Sequence, residues 1–228
     1  MMKAMATAAL PKLRSIHLTG PAGRLEAVLN EGSPDAPFAA LIAHPHPPSG
    51  GTMHHKVVYH TMKVMNAPEW DFRWPVLRFN FRGTGLSHGE YDGRAETGDV
   101  LAALDWLTHG YQRPILAAGF SFGAAITLAA CCTHCNTHNI RAIAALGLPI
   151  QSSHRHYEHP YLEHCPLPKL FLSGDHDEFA PLEQLTALTA QAQQPAQTII
   201  LPNADHFFTG RIDAMQAQLA AWLKELLP

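Results

Sequence analysis

Residues 115–124 read Ile-Leu-Ala-Ala-Gly-Phe-Ser-Phe-Gly-Ala, and the reading of this stretch decides the fold. Ile115 to Ala118 is a short apolar run of the kind that forms a buried strand. Gly119-Phe120-Ser121-Phe122-Gly123 follows, and the apolar segment from Ala124 to Cys132 reads as a helix. A strand that runs through Gly-x-Ser-x-Gly into a helix is the setting in which this pentapeptide forms a nucleophile elbow. So sharp a turn leaves no room for bulk two residues before or after the serine, and Gly119 and Gly123 meet that demand. The turn holds the Ser121 hydroxyl at the carboxyl edge of a sheet and aims the next amide, that of Phe122, at the same point. Glycine and serine are common, so the pentapeptide alone is weak evidence. Its meaning depends on whether an acid and a histidine follow, in that order.

Both follow, each behind an expected strand. Lys169 to Ser173 runs into Gly174-Asp-His-Asp-Glu-Phe-Ala-Pro181, and Thr198 to Leu201 runs into Pro202-Asn-Ala-Asp-His206. A helix from about Leu182 to Gln193 separates the two strands. A serine hydroxyl needs a base within hydrogen-bond reach, and the base needs a carboxylate to fix its tautomer and stabilise its charge. Ser121, Asp177 and His206 supply the three groups, with Asp175 and Glu178 as competing carboxylates. An oxyanion formed at Ser121 needs two amide donors, and the first is the backbone N–H of Phe122.

Upstream, Ser15–Gly20 and Arg24–Asn30 alternate apolar and polar residues around Pro21-Ala22-Gly23, a hairpin signal. Phe38–Ala43 is a continuous apolar run, as an interior parallel strand requires. The segment His44-Pro-His-Pro-Pro-Ser-Gly-Gly-Thr52 cannot be regular. A helix over about His54–Asn66, a loop over Ala67–Pro75 and a strand over Val76–Phe81 come next. Val100, Leu101, Leu104 and Leu107 make a helical stripe between Ala95 and His109. After the elbow come a strand over Ile140–Leu148 and a His- and Pro-rich connection over Gln151–Pro168. A last helix carries Ile212, Met215, Leu219, Trp222, Leu223 and Leu226. Strands alternating with helices predict an α/β fold, with a mostly parallel central sheet, an antiparallel N-terminal hairpin and helices on both faces. Ligands then bind beyond the carboxyl ends of the strands. Residues 1–228 read as a single domain, with residues 1–13 a loosely ordered leader too short in its apolar part to be a signal peptide.

With the elbow, the acid loop and the histidine in place, the chain resembles the α/β-hydrolase superfamily from about Phe38 to the C-terminus. The Gly-x-x-Asp-x-x-x-Pro form of Gly174–Pro181 looks like the acid loop of that family and selects Asp177. His44-Pro45-His46-Pro47 stands where the superfamily commonly has His-Gly-x. Pro45 and Pro47 have no N–H to donate, so the resemblance implies His46 as the second oxyanion donor, through its backbone. His44-Pro-His-Pro47, Gly50-Gly-Thr-Met53 and Arg78-Phe-Asn-Phe-Arg-Gly-Thr-Gly-Leu-Ser87 together look like a compact bacterial branch near the dienelactone hydrolases. Ser121 departs from the cysteine of those enzymes, so their substrate does not carry over. Arg82–Gly85 reads as a structural turn. The Ala67–Pro75 loop is long enough to shape the pocket rim. Only residues 151–168 are available to cover the site, so no large cap domain is expected.

Composition bounds the function from outside. The chain has 46% hydrophobic and 15% charged residues and a formal net charge of -3, which gives no electrostatic case for nucleic acid or an anionic membrane. Cys131, Cys132 and Cys135 crowd within five residues, leaving Cys165 apart. Near-adjacent cysteines make poor structural disulfides, so the cluster is expected as buried or semi-buried thiols in a reducing, cytoplasmic setting. The same cluster with His138 lacks the two separated ligand pairs of a zinc site, and no metal or cofactor is expected. Many of the sixteen histidines fall in loops, and most read as surface or loop groups, the imidazoles of His44 and His46 as packing or bonding to neighbouring loops.

The function expected is a serine carboxylesterase, a monomer or homodimer acting on a small-molecule ester in an open apolar pocket. Phe120, Phe122, Tyr157, Tyr161, Phe179, Phe207 and Phe208 are the aromatic groups near its edge, most of them as core. Phe122, Leu148 and Phe207 are expected to form the acyl-binding wall. A thioesterase or lactonase would use the same groups, and a binding protein on a hydrolase scaffold would have no need of all three.

Overall fold

The strand carrying the elbow lies in the middle of an eight-stranded sheet. A computed structural model describes residues 12–152 and 155–227. Residues 1–11 of the expected leader lie outside the described residues, and Leu13 already belongs to the first strand. Strands β1 (Leu13–Gly20) and β2 (Gly23–Asn30) form the N-terminal hairpin, closed at Gly20 opposite Gly23. Then come β3 (Ala39–Ala43), α1 (Lys56–Asn66), β4 (Val76–Phe79), α2 (Glu96–Tyr111), β5 (Ile115–Phe120) and α3 (Phe122–Thr133). After these follow β6 (Ile140–Leu146), the two-residue strands β7 (Gln151–Ser152) and β8 (Arg155–His156), and a 3-10 turn at Pro160–His164. The chain ends with β9 (Lys169–Gly174), α4 (Leu182–Ala190), β10 (Ala196–Leu201) and α5 (Ile212–Glu225). The sheet order is β1-β2-β4-β3-β5-β6-β9-β10. Pairing is parallel from β4 through to β10, while β2 pairs antiparallel with both β1 and β4.

Alternation along the inner strands builds two cores. Ala39, Leu41 and Ala43 of β3, with Ile115 and Ala117 of β5, face α2 and α3. Ala40 and Ile42, with Leu116, Ala118 and Phe120, face α1 and α5. Strands covered on both faces must be apolar throughout, which is why these segments carry no polar period. The expected strand Val76–Phe81 stops at Phe79: the amide of Asn80 still reaches β2, and that of Phe81 leaves the sheet. The first donates to the Glu26 carbonyl at 2.8 Å and the second to the His44 ring at 3.0 Å. The Ala67–Pro75 loop does not reach the site: it turns inward and buries Phe72 and Trp74 against the α1–α5 core.

The connection 151–168 holds the small β7–β8 hairpin and the 3-10 turn, and no large cap covers the sheet edge. Here the structure corrects the cysteine expectation. The sulfurs of Cys132 and Cys165 are joined, with Cα atoms 4.9 Å apart across a separation of 33 residues. The partner of Cys132 arrives because the 3-10 turn docks on α3, with Leu162 in its core and the Tyr161 hydroxyl donating to the Ala125 carbonyl at 3.1 Å. Cys131 remains a buried thiol, and Cys135 is a partly exposed one. The cysteine argument for a reducing setting therefore falls. The segment is held a second time by Lys169, whose buried ammonium donates to the carbonyls of Cys165 and Gln193, both at 2.7 Å. Burial lowers its pKa to about 8. Closing a loop of 33 residues is worth about 2–4 kcal/mol by constraint of the unfolded chain. Cys132→Ser should therefore lower the thermal midpoint by roughly 5–15 °C, and reductant should lower that of the wild type alone. Equal midpoints in a melting experiment would show that the bridge contributes nothing.

Candidate active site

Ser121 occupies the bend between β5 and α3 with φ 55° and ψ -123°. A non-glycine residue held there stores about 1–3 kcal/mol of strain, which the surrounding hydrogen bonds must outweigh. Its amide donates to the Leu146 carbonyl at 2.9 Å, and its carbonyl accepts from the amides of Ala124 and Ala125 in the first turn of α3. The flanking glycines are there for close approach. A methyl group on Gly119 would run into the Gly123 carbonyl, and one on Gly123 would run into the His44 carbonyl. The serine is thereby fixed beside the loop after β3, with Phe122 as the first residue of α3.

The acid and histidine loops meet over this bend. The Nε2 of His206 lies 2.9 Å from the Ser121 hydroxyl oxygen, and its Nδ1 lies 2.9 Å from both carboxylate oxygens of Asp177. The tautomer follows from the partners: an ionised carboxylate only accepts, so Nδ1 carries the proton and Nε2 is left to accept from the serine. Asp177 is itself held on every side. One oxygen accepts from the amides of Phe179 (2.9 Å) and Ala180 (3.2 Å), and the other from the Ser173 hydroxyl (3.0 Å). Asp177 and His206 are both buried, so the three groups form one dry chain that surfaces only at Ser121. Of the competing carboxylates, Asp175 accepts from the amide of Ala204 at 3.2 Å and ties the two loops together, while Glu178 is exposed. The His206 ring packs against Phe179 at 4.5 Å, Phe120 at 5.0 Å and Phe207 at 5.1 Å. Gly147, with φ 53°, gives it room, since a methyl group there would stand 3.2 Å from the ring.

The loop after β3 is anchored by an imidazole. His44 is fully buried; its Nδ1 donates to the Pro45 carbonyl at 2.7 Å and its Nε2 accepts from the amide of Phe81 at 3.0 Å. Burial lowers its pKa to about 4, so it stays neutral and keeps that tautomer. His46 lies next to the site. Its ring joins Ser49 and Tyr91 at 2.9 Å each and meets the Phe122 ring edge-on at 5.7 Å. Both imidazoles bond to neighbouring loops, as the sequence reading has them.

An open cleft of about 760 Å³ lies over Ser121 and His206. Tyr157, Phe179 and Phe207 line one part of it, and His46, Tyr91 and Arg94 another. Phe207 lies on the cleft, 45% exposed. Leu148 does not. It is 1% exposed and packs with Phe122 in the core between sheet and α3, and Pro149, its neighbour, is the residue on the wall. Phe122 is buried in the same core, so its ring does not line the cleft. Two groups that the sequence reading missed shape the rim. Glu96 is buried and accepts from the amides of Asp92 and Gly93, both at 2.8 Å. Asp92 in return accepts from the amides of Arg94 and Ala95. This reciprocal cap fixes the rim before α2. The signal for it is the acidic spacing Asp92 to Glu96 just ahead of the helical stripe.

A model of the α/β hydrolase domain matches residues 40–225. The chain belongs to the α/β-hydrolase family. Within that family it is similar over 92% of its length to the solved structure of an α/β serine hydrolase homologue from Coxiella burnetii. The two share 31% identity with a TM-score of 0.81, over 97% of that chain. An α/β serine hydrolase without lid from Xanthomonas campestris is 26% identical, with a TM-score of 0.80, over 95% of this chain and 96% of that one. An uncharacterized protein of Rickettsia prowazekii is 36% identical over 202 residues, 85% of this chain and 81% of its own. This hydrolase thus shares its fold with two solved structures described as α/β serine hydrolases. Among its described residues no helix is long and apolar enough to cross a membrane.

Proposed function

We propose that the protein is a serine carboxylesterase acting on small or medium acyl esters through an acyl-enzyme on Ser121. The observation that carries this reading is the hydrogen-bonded chain Asp177–His206–Ser121, which opens on an aromatic-walled cleft. His206 takes the Ser121 proton on Nε2 as the oxygen attacks the ester carbonyl, and Asp177 stabilises the imidazolium so formed. The carbonyl oxygen becomes an oxyanion received by the backbone N–H groups of Phe122 and His46. The first stands at the positive end of α3, and the second follows Pro45, which has no N–H to offer. His206 then gives its proton to the departing alcohol, and the acyl group remains on Ser121. Water enters, loses a proton to His206 and attacks the acyl-serine. Collapse of the second oxyanion returns the proton to Ser121 and releases the carboxylic acid.

The cleft favours a small neutral ester. Among the described residues, the only carboxylate and guanidinium that line it are Asp92 and Arg94 at the rim, of opposite charge, and the remaining wall is imidazole, aromatic or small. Purified protein should hydrolyse p-nitrophenyl acetate and butyrate faster than the octanoate. It should also prefer each ester to the thioester and the lactone of matched acyl length. A preference for thioester or lactone would move the assignment within acyl transfer. No turnover of any of the three would remove it.

A further inference from the structure

Three imidazoles line the cleft, and two are fully engaged: His46 with Ser49 and Tyr91, His206 with Asp177 and Ser121. The third, His55, uses one nitrogen. It caps α1, its Nδ1 accepting from the amide of Val57 at 3.3 Å. An accepting Nδ1 puts the proton of the neutral ring on Nε2, and nothing among the described residues accepts from that N–H. The ring cannot turn freely to spend it elsewhere. It stacks on Phe120 at 5.1 Å with only 22° between the planes, and Phe207 lies 6.1 Å away on the cleft side. Phe120 also packs against His206, at 5.0 Å, so one aromatic plate carries both imidazoles.

We infer that His55 is a specificity-determining residue: its Nε2–H donates to a neutral oxygen of the substrate a few bonds from the ester carbonyl. The substrate class is thus an ester with an additional ether, hydroxyl or carbonyl oxygen in its acyl or alcohol part. The inference rests on the serine-hydrolase reading of the same cleft. A site built to donate a hydrogen bond discriminates against an analogue that lacks the acceptor, because the donor is then left unpaired and dry. Burial first, and the neighbouring His206 second, lower the pKa of His55. The ring therefore remains an uncharged donor, which opposes no positive charge arising on His206 during acyl transfer.

The test compares isosteric substrates that differ by one CH2 exchanged for oxygen. p-Nitrophenyl butyrate and p-nitrophenyl methoxyacetate place the change in the acyl part; butyl and 2-methoxyethyl acetates place it further out in the alcohol part. The ratio of kcat/KM, oxygen-bearing over carbon analogue and corrected for the hydroxide rates, is independent of how much protein is folded. In the wild type this ratio should exceed that of His55→Phe, which keeps the stacking plate and removes the donor, by roughly 3- to 10-fold for at least one pair. His55→Gln, which restores an N–H near the Nε2 position, should recover part of it. Equal ratios in wild type and His55→Phe for both pairs would overturn the inference. Failure of the underlying reading looks different, since Ser121→Ala would then hydrolyse all four esters as fast as the wild type.

Discussion

Ser121→Ala is expected to lose at least about four orders of magnitude in ester turnover while folding as stably as the wild type. The loss follows from what the hydroxyl does: no other nucleophile stands within hydrogen-bond reach of His206 in the described geometry. What remains should be the modest rate that oxyanion donors and binding give an attacking water. The unchanged stability follows from the backbone. Alanine keeps the Cβ, so it keeps the φ 55° strain of the bend, and the amide bond to Leu146 is untouched. Ser121→Gly separates the two effects. Glycine removes that strain, so this variant should be as inactive as the alanine variant yet melt at a higher temperature. Steady-state kinetics beside thermal unfolding on the three proteins checks both halves. A glycine variant no more stable than the alanine variant would contradict the claim that the elbow is strained.

Asp177→Asn should cost about three to four orders of magnitude in kcat with little change in KM. One carboxylate oxygen accepts from two backbone amides, those of Phe179 and Ala180, so the amide oxygen of an asparagine must take that place. Its NH2 is then forced to the other position, beside the Ser173 hydroxyl, so His206 Nδ1, 2.9 Å from both positions, faces a donor and a neutral oxygen in place of two charged acceptors. The donor favours the tautomer in which Nδ1 accepts and the ring proton sits on Nε2, which then cannot receive the proton of Ser121. The fold should survive, since every heavy atom keeps its place. A kcat within tenfold of wild type would mean that Asp177 does not set the tautomer. Ser173→Ala, removing one hydrogen bond to a charged oxygen, should give a much smaller loss.

The elbow and its two partners were legible because their signals are local. Gly119 and Gly123 report the closeness of backbones at one bend, and Asp177 and His206 each stand just behind a strand whose apolar run announces it. What escaped depends on how separate loops pack across the sheet. Cys132 lies in a cluster whose neighbours look like its natural partners, yet docking of Pro160–His164 on α3 brings it Cys165. Leu148 and Pro149 differ in one step of a chain leaving β6, and that step sends one into the core and the other to the cleft. His55 is one of sixteen histidines in the chain, and its single unused nitrogen is visible only when the partners of His46 and His206 are counted beside it. Gly147 reads as an ordinary turn glycine until the His206 ring is placed against it.

In the proposed reaction Ser121 is a nucleophile activated by His206. Incubation with a fluorophosphonate, followed by peptide mass spectrometry, tests it most directly. The wild type should carry one phosphonyl adduct, on Ser121 within Gly119–Gly123, and lose esterase activity in step with labelling. His206→Ala and Asp177→Asn should label far more slowly. An adduct on another residue, or ester hydrolysis that persists with Ser121 fully modified, would contradict it.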